Sequence, residues 1–259
     1  MVAGLPGTGK SLIIHQMTHL AVDAGREVHL LQWDVARPVI EASEAGRRYP
    51  VIDGVTHAII RKAMGLWSRH VVARWNREWP AREHMLVGET PFVGNRLIEL
   101  ARPLSDAAEP ILSGPSCCFA IPVPSVEVRQ FLEAERQQRM AAPRHPRERE
   151  DAPPGVLREL WRQLVDVARA LSIPVASADA YDPDVYRRVY EALLRHRHVE
   201  VLPLQTVLPS ADLSAYDFDV PRRDLVPSET EANDLVREAE ARYPDPVALA
   251  RDVDRWWIV

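Results

Sequence analysis

Eight residues near the amino end, Gly4-Leu5-Pro6-Gly7-Thr8-Gly9-Lys10-Ser11, carry the spacing G-x-x-x-x-G-K-S. Each residue type here has a use in phosphate chemistry. The glycines let main-chain N–H groups turn inward around phosphate oxygens, Lys10 reaches β- and γ-phosphates, and the Ser11 hydroxyl is a ligand for Mg²⁺. The cradle extends to Leu12, because a following helix presents free amides and the positive end of its dipole. The flanks agree. An apolar stub, Met1-Val2-Ala3, leads in, and Ile13, Ile14, Met17, Leu20 and Ala21 follow at helical spacing. ATP with Mg²⁺ is the expected ligand, and an ordinary glycine-rich turn is the alternative.

Residue choice sharpens this expectation. Of 32 basic residues only Lys10 and Lys62 are lysines; the rest are arginines. A compact ammonium enters a narrow phosphate cradle where a planar guanidinium does not.

Further candidates sit where strands are expected to end. Asp34, in Leu31-Gln32-Trp33-Asp34, follows an apolar run. It is placed to take a proton from an attacking hydroxyl, and Arg37, a helical turn on, to hold an acceptor or a phosphoryl group. The bland reading makes Asp34 a helix cap and Arg37 a solvated side chain. Glu89 ends Met85-Leu86-Val87-Gly88 and is the expected Mg²⁺ partner beside Ser11; otherwise it is a strand-end carboxylate in water. Asn95 and Arg96 follow as candidates for an acceptor pocket, and Asp53, after Val51-Ile52, reads mainly as a turn or cap residue, with a metal site in reserve.

Arg129, Arg136, Arg139, Arg144, Arg147 and Arg149 run through a stretch broken by Pro143 and Pro146. Arginines on a closing flap, about residues 136–154, would neutralise charge on a polyphosphate, with Arg136, Arg139 and Arg144 best placed. Glu133, Glu135, Glu148 and Glu150 alternate with them, so a solvated charged helix is the competing reading. His15 and His19 are four apart, but no third ligand with sensible spacing is evident, so they read as a half-buried helix face. Trp67, Trp75 and Trp79 share a stripe with aliphatics and read as core.

These groups need a scaffold. Strand and helix patterns alternate along the chain, which implies an α/β fold of three layers, α/β/α, around a mostly parallel sheet. Strands are expected at 27–33, 84–88, 116–123 and 198–204. Helices are expected at 56–78, 126–140, 155–171, 184–196 and about 246–257, with a further one starting at 95–101. Only three residues precede Gly4, so either the first strand is very short or its start lies upstream. A nucleotide-binding domain is expected over 1–209, with an acidic, Pro-interrupted extension over 210–259 packed on it.

Net charge of −5 and a pI near 6.0 argue against a nucleic-acid-binding surface. No apolar run reaches transmembrane length, so no membrane partner is expected. Cys117 and Cys118 are adjacent and cannot readily pair on a strand; reduced thiols in a cytoplasm are the simplest inference.

The phosphate loop, the strand leading to Asp34-x-x-Arg37 and the arginine-bearing helix and flap resemble the P-loop kinases. The similarity is to the small-molecule, polynucleotide and zeta-toxin-like kinases, over about residues 1–208. That resemblance implies Asp34 as general base and Arg136, Arg139 and Arg144 as phosphate clamps. The chain departs from the group in its short first strand, in Glu89 rather than Asp at the metal position, and in the acidic tail. The expected activity is Mg²⁺-dependent transfer of the γ-phosphoryl group of ATP to a small hydroxylated acceptor. An NTP-hydrolysing switch and an ATP-binding regulatory protein remain as alternatives.

Overall fold

The structure, a computed structural model, describes residues 1–207, 214, 216–217 and 219–259, and the main chain alone at Arg147 and Glu150. The boundary expected at 209/210 lies outside the described residues, as does the side chain of Arg147.

The elements run β1 (Val2–Ala3), α1 (Lys10–Asp23), β2 (Glu27–Leu31), α2 (Trp33–Ala42), α3 (Ala58–Glu78), β3 (His84–Thr90), α4 (Glu109–Leu112), β4 (Phe119–Pro124) and α5 (Val126–Ala141). Then come α6 (Pro154–Ala170), α7 (Pro183–Leu193), β5 (Val199–Leu204), β6 (Arg222–Asp224), α8 (Glu229–Arg242) and α9 (Pro246–Asp254). The six strands form one sheet in the order β5-β4-β1-β3-β2-β6. Every pairing in it is parallel.

Parallel strands are covered on both faces, and the residues alternate accordingly. Val2, Val28, Leu30 and Val87 pack under Ile14 and Ala21 of α1. Ala3, Leu31, Phe119 and Ile121 face the opposite layer, built from α2, α3, α6, α7 and α8. Trp67 sits fully buried at the centre of that larger core, as its stripe on α3 foretells.

β1 has only two residues, yet it lies between β3 and β4, with Val2 opposite Glu89 and Ala120. From β1 the chain passes over β3 to reach β2; from β3 it returns over β1 to reach β4. Neighbouring strands whose connections leave in opposite directions open a crevice at their carboxyl ends, where open α/β sheets bind ligands.

Several elements differ from the expectations. Asp34 does not close a strand: β2 stops at Leu31 and Asp34 lies in the first turn of α2, one residue after Trp33 plugs into the core. The helix expected from Asn95 is reduced to a single 3₁₀ turn, Ile98–Leu100. Phe92, Gly94 and Asn95 take positive φ in a tight turn closed by Phe92 and Arg96, and Leu97, at positive φ just after it, leads into the 3₁₀ turn. β6 was not expected. Its sequence, Arg222-Arg223-Asp224, has no apolar alternation, in keeping with a charged edge strand. α8, also unforeseen, packs along α3.

An ion network anchored on two buried arginines ties α3 to the segment before β4. Arg69 donates to Asp106 and Glu109, and Arg197, its side chain fully buried, donates to both oxygens of Glu109 and to the carbonyls of Leu100 and Arg102. Burial alone would raise the Glu109 pKa from its ordinary 4.5, but the hydrogen bonds from Arg197 and Arg69 hold it at about 2. A carboxyl depressed in the folded state stabilises above its unfolded pKa, and that stability is lost as pH falls through the folded value. Denaturant midpoints should therefore fall as pH drops from 4.5 towards 2, and Glu109→Gln should flatten that limb. An equally steep acid limb in the variant would remove Glu109 as its source.

Candidate functional site

The chain leaves β1 at Ala3 and bends through residues 4–9 into α1. Gly7 and Gly9 take φ of +76° and +82°. That left-handed conformation strains any residue with a Cβ. Gly4 answers a different need: a Cβ there would run into the Tyr186 hydroxyl and Thr8 Oγ1. The bend folds on itself around one carbonyl, since Thr8 Oγ1 and Lys10 Nζ both donate to Leu5 O, at 2.8 and 2.9 Å.

Gly9 caps α1 without any side-chain hydrogen bond to the helix amides, and no acidic residue lies in the first turn. The opening N–H groups of a helix have no intrahelical acceptor. Lys10, Ser11 and Leu12 thus present amides at the positive end of the α1 dipole, and this end suits an anion.

Lys10 is 4% exposed, and its Nζ lies 3.3 Å from Oε1 of Glu89, itself 13% exposed. Glu89 stands near the end of β3, opposite Val2 of β1. The ion pair therefore occupies the crevice predicted by the strand order. Burial pulls the Lys10 ammonium below its ordinary pKa and pushes the Glu89 carboxyl up, each opposed by the other's charge. A buried pair of this kind stabilises a fold weakly, because desolvation cancels most of the attraction. Titratable groups perturbed by burial and by each other in a crevice make it a candidate site, although structural ion pairs such as that of Glu109 are perturbed too.

The structure brings several other expected residues to this pair. The negative charge of Asp34 acts on Lys10, Glu89 and Arg96, and the positive charge of Arg136 acts on Lys10 and Glu89. Asp34 is exposed and caps nothing; Gln32 holds the cap position of α2. Arg37 is half-buried, donating to Glu41 at 2.9 Å, one turn along the same helix. Arg96 is drawn in from the tight turn after β3, and burial lowers its pKa. Ser11 is half-buried in the first turn of α1, directly after Lys10.

The flap arginines divide. Arg136 reaches the pair electrostatically while its guanidinium contacts Asp151 at 3.4 Å. α5 runs on to Ala141, so Arg136 and Arg139 stand on that helix and only Arg144 follows it into the expected flap. Arg139 pairs with Glu135 and Glu148, and the main-chain N–H of Arg144 donates to Glu148. Glu148 and Asp151 also accept from Ser214 and Tyr216, each at 2.7 Å. The flap is thus fastened to the segment leading into β6.

Arg129 was named in the arginine run but not singled out as a clamp. It is 3% exposed, donates to Pro6 O at 2.9 Å and to Glu133 at 2.6 Å, and lies over the Tyr181 ring. Its guanidinium comes 3.4 Å from where a Cβ on Gly7 would stand. The signal in the sequence was its place in the first turn after β4, on the same rim as the loop. Tyr186, under Gly4, carried no such signal: it lies 182 residues away on α7 and reads there as an ordinary core position.

Two concavities lie elsewhere. One of about 490 Å³ runs between α3 and α8, lined by His70, Arg74 and Glu231. Another of about 430 Å³ lies between the 50–58 turn and α9, lined by Ile52, His57 and Arg61. Neither is lined by the 4–11 loop, so the case for an anion site rests on backbone amides and the buried ammonium, not on cavity size.

No family model, curated protein or solved structure matches this chain. What the site does must be read from its own residues. Among the described residues no helix is long and apolar enough to cross a membrane.

Proposed function

We propose that this chain is an ATP-dependent phosphotransferase, a P-loop kinase that passes the γ-phosphoryl group of ATP to a small hydroxylated acceptor. One observation carries the reading: a buried lysine ammonium held inside a glycine-rich bend, 3.3 Å from a carboxylate, at the crevice where the strand order reverses. The uncapped start of α1 supports it, because free amides and a helix dipole are what a triphosphate needs.

In this reading the loop from Gly4 to Leu12 holds the phosphates. Lys10 exchanges its bond to Leu5 O for a phosphate oxygen, which also relieves the burial of its charge. Ser11 and Glu89 would hold Mg²⁺, which would neutralise charge on the phosphates. Glu89 fits that role, since a buried carboxylate beside a single ammonium has oxygen lone pairs to spare. Asp34 takes the proton of the acceptor hydroxyl from its exposed place on α2. Arg96 and Arg37 line the acceptor side, and Arg136 and Arg129 bear on the phosphate side. Arg139 and Arg144 act as clamps only if Glu148 releases the flap.

The test is to follow ADP release from ATP and Mg²⁺ while a panel of small hydroxylated metabolites is added one by one. Acceptor-dependent release supports the phosphotransferase. Steady release that no acceptor alters would favour a hydrolysing switch, and binding without release would leave a regulatory ATP-binding protein.

A further inference from the structure

His15 and His19 lie one turn apart on α1, and the fold supplies the third partner that their spacing alone lacked. The segment entering β6 crosses this face of the helix and brings Asp219 to it. His15 Nε2 is 2.7 Å from His19 Nε2, and the same His19 nitrogen is 2.8 Å from Asp219 Oδ1. One ligand atom from each residue lies within 4.8 Å of the other two.

Protons alone serve this triangle poorly. A neutral imidazole nitrogen offers either one N–H or one lone pair in the ring plane. As N–H, His19 Nε2 can aim its hydrogen well at only one of its two neighbours. As a bare nitrogen, it faces carboxylate lone pairs. A cation at the centre satisfies all three atoms at once. With metal–nitrogen bonds of about 2.0–2.1 Å in a tetrahedral set, the two close pairs need spread only to about 3.3 Å.

The surroundings allow it. His15 is 9% exposed and so held in place, whereas Asp219 is 75% exposed and leaves a solvent side for water to complete the shell. Two imidazoles and one carboxylate suit first-row transition ions rather than Mg²⁺ or Ca²⁺.

We propose that His15, His19 and Asp219 form a binding site for a divalent transition metal of the Zn²⁺ type. It is separate from the Ser11 and Glu89 pair and independent of the nucleotide reading. Such an ion joins α1 to the segment that carries β6, and through Ser214 and Tyr216 to the flap.

Equilibrium dialysis of the full, untagged chain against Zn²⁺, with Co²⁺ absorption as a second readout, tests it. About one ion per chain is expected, with a Co²⁺ spectrum of low coordination number and a Zn²⁺-dependent rise in melting temperature. His19→Ala and Asp219→Asn should each weaken Zn²⁺ binding by roughly tenfold or more. Asp219 is exposed enough that its variant folds whatever becomes of the buried histidine. Lys10→Arg should leave Zn²⁺ affinity untouched, which separates this site from the phosphate loop. Unchanged Zn²⁺ affinity in both ligand variants would overturn the proposal, and would give any bound ion to Glu27, His29 and His84 or to the cysteines instead. Absence of bound Zn²⁺ in the wild-type chain would overturn it as well.

Discussion

Lys10→Arg is expected to abolish measurable ATP binding. The fall in affinity should be at least about 100-fold, or roughly 2.7 kcal/mol. Lys10 Nζ sits between Leu5 O and Glu89 Oε1 with almost no exposed surface, and the bend around it is closed by Thr8 and backed by Arg129. A guanidinium is wider than an ammonium and spreads its five donors in a plane. It cannot enter without opening the 4–9 bend, and an opened bend loses the inward amides that grip phosphate. Arginine is the informative replacement because it keeps the positive charge. Glu89 is then not left buried alone, a situation that commonly costs about 3–5 kcal/mol and would confuse unfolding with loss of binding. Calorimetric titration reads the affinity, and thermal melting supplies the control. Saturating ATP at about 100 times its Kd should add roughly 2.7 kcal/mol to wild-type stability and nothing to the variant. If the variant binds ATP as the wild type does, the 4–11 loop is a structural turn and the kinase reading goes with it.

How much of this was legible beforehand depends on range. The 4–11 loop is a local device: glycines at positive φ, a lysine, and a helix start lie within eight residues, and the sequence displays them in order. The buried strands and α3, α5, α6 and α7 were equally plain, because burial on both faces leaves apolar runs and α3 carries its stripe; α8, with its smaller apolar face, was not. Long-range closure was not. Tyr186 under Gly4, Asp219 beside His19 and β6 beside β2 each join segments more than 180 residues apart. Nothing in the local pattern of Arg222-Arg223-Asp224 marks a strand, since an edge position tolerates charge. Glu89 was placed near the loop by strand-end reasoning alone, but its contact with Lys10 required the order β1-β3, which puts a later strand beside the first. The arginines were visible as a run, while their division between loop, crevice and flap depends on carboxylates at 133, 148 and 151.

Asp34→Asn should separate chemistry from binding. The carboxylate stands exposed in the first turn of α2, so the amide costs the fold little. Its charge nevertheless bears on Lys10, Glu89 and Arg96. Removing a negative charge from beside a triphosphate site cannot weaken ATP binding by Coulomb's law; affinity should hold or tighten slightly. Transfer is another matter. A positioned general base commonly contributes about 10²–10⁴-fold, and asparagine keeps the shape of the group while it cannot take a proton. The expected result is therefore kcat lower by about that factor, equivalent to roughly 3–5 kcal/mol in the barrier, with ATP affinity unchanged within about twofold. Asp34→Glu, which restores a proton acceptor on a longer arm, should recover part of the rate. Two outcomes would count against this assignment. Full transfer in Asp34→Asn would show that the acceptor loses its proton elsewhere. Parallel loss of ATP affinity and rate would place Asp34 on the nucleotide, through a metal it helps to hold, and leave the acceptor side to Arg37 and Arg96.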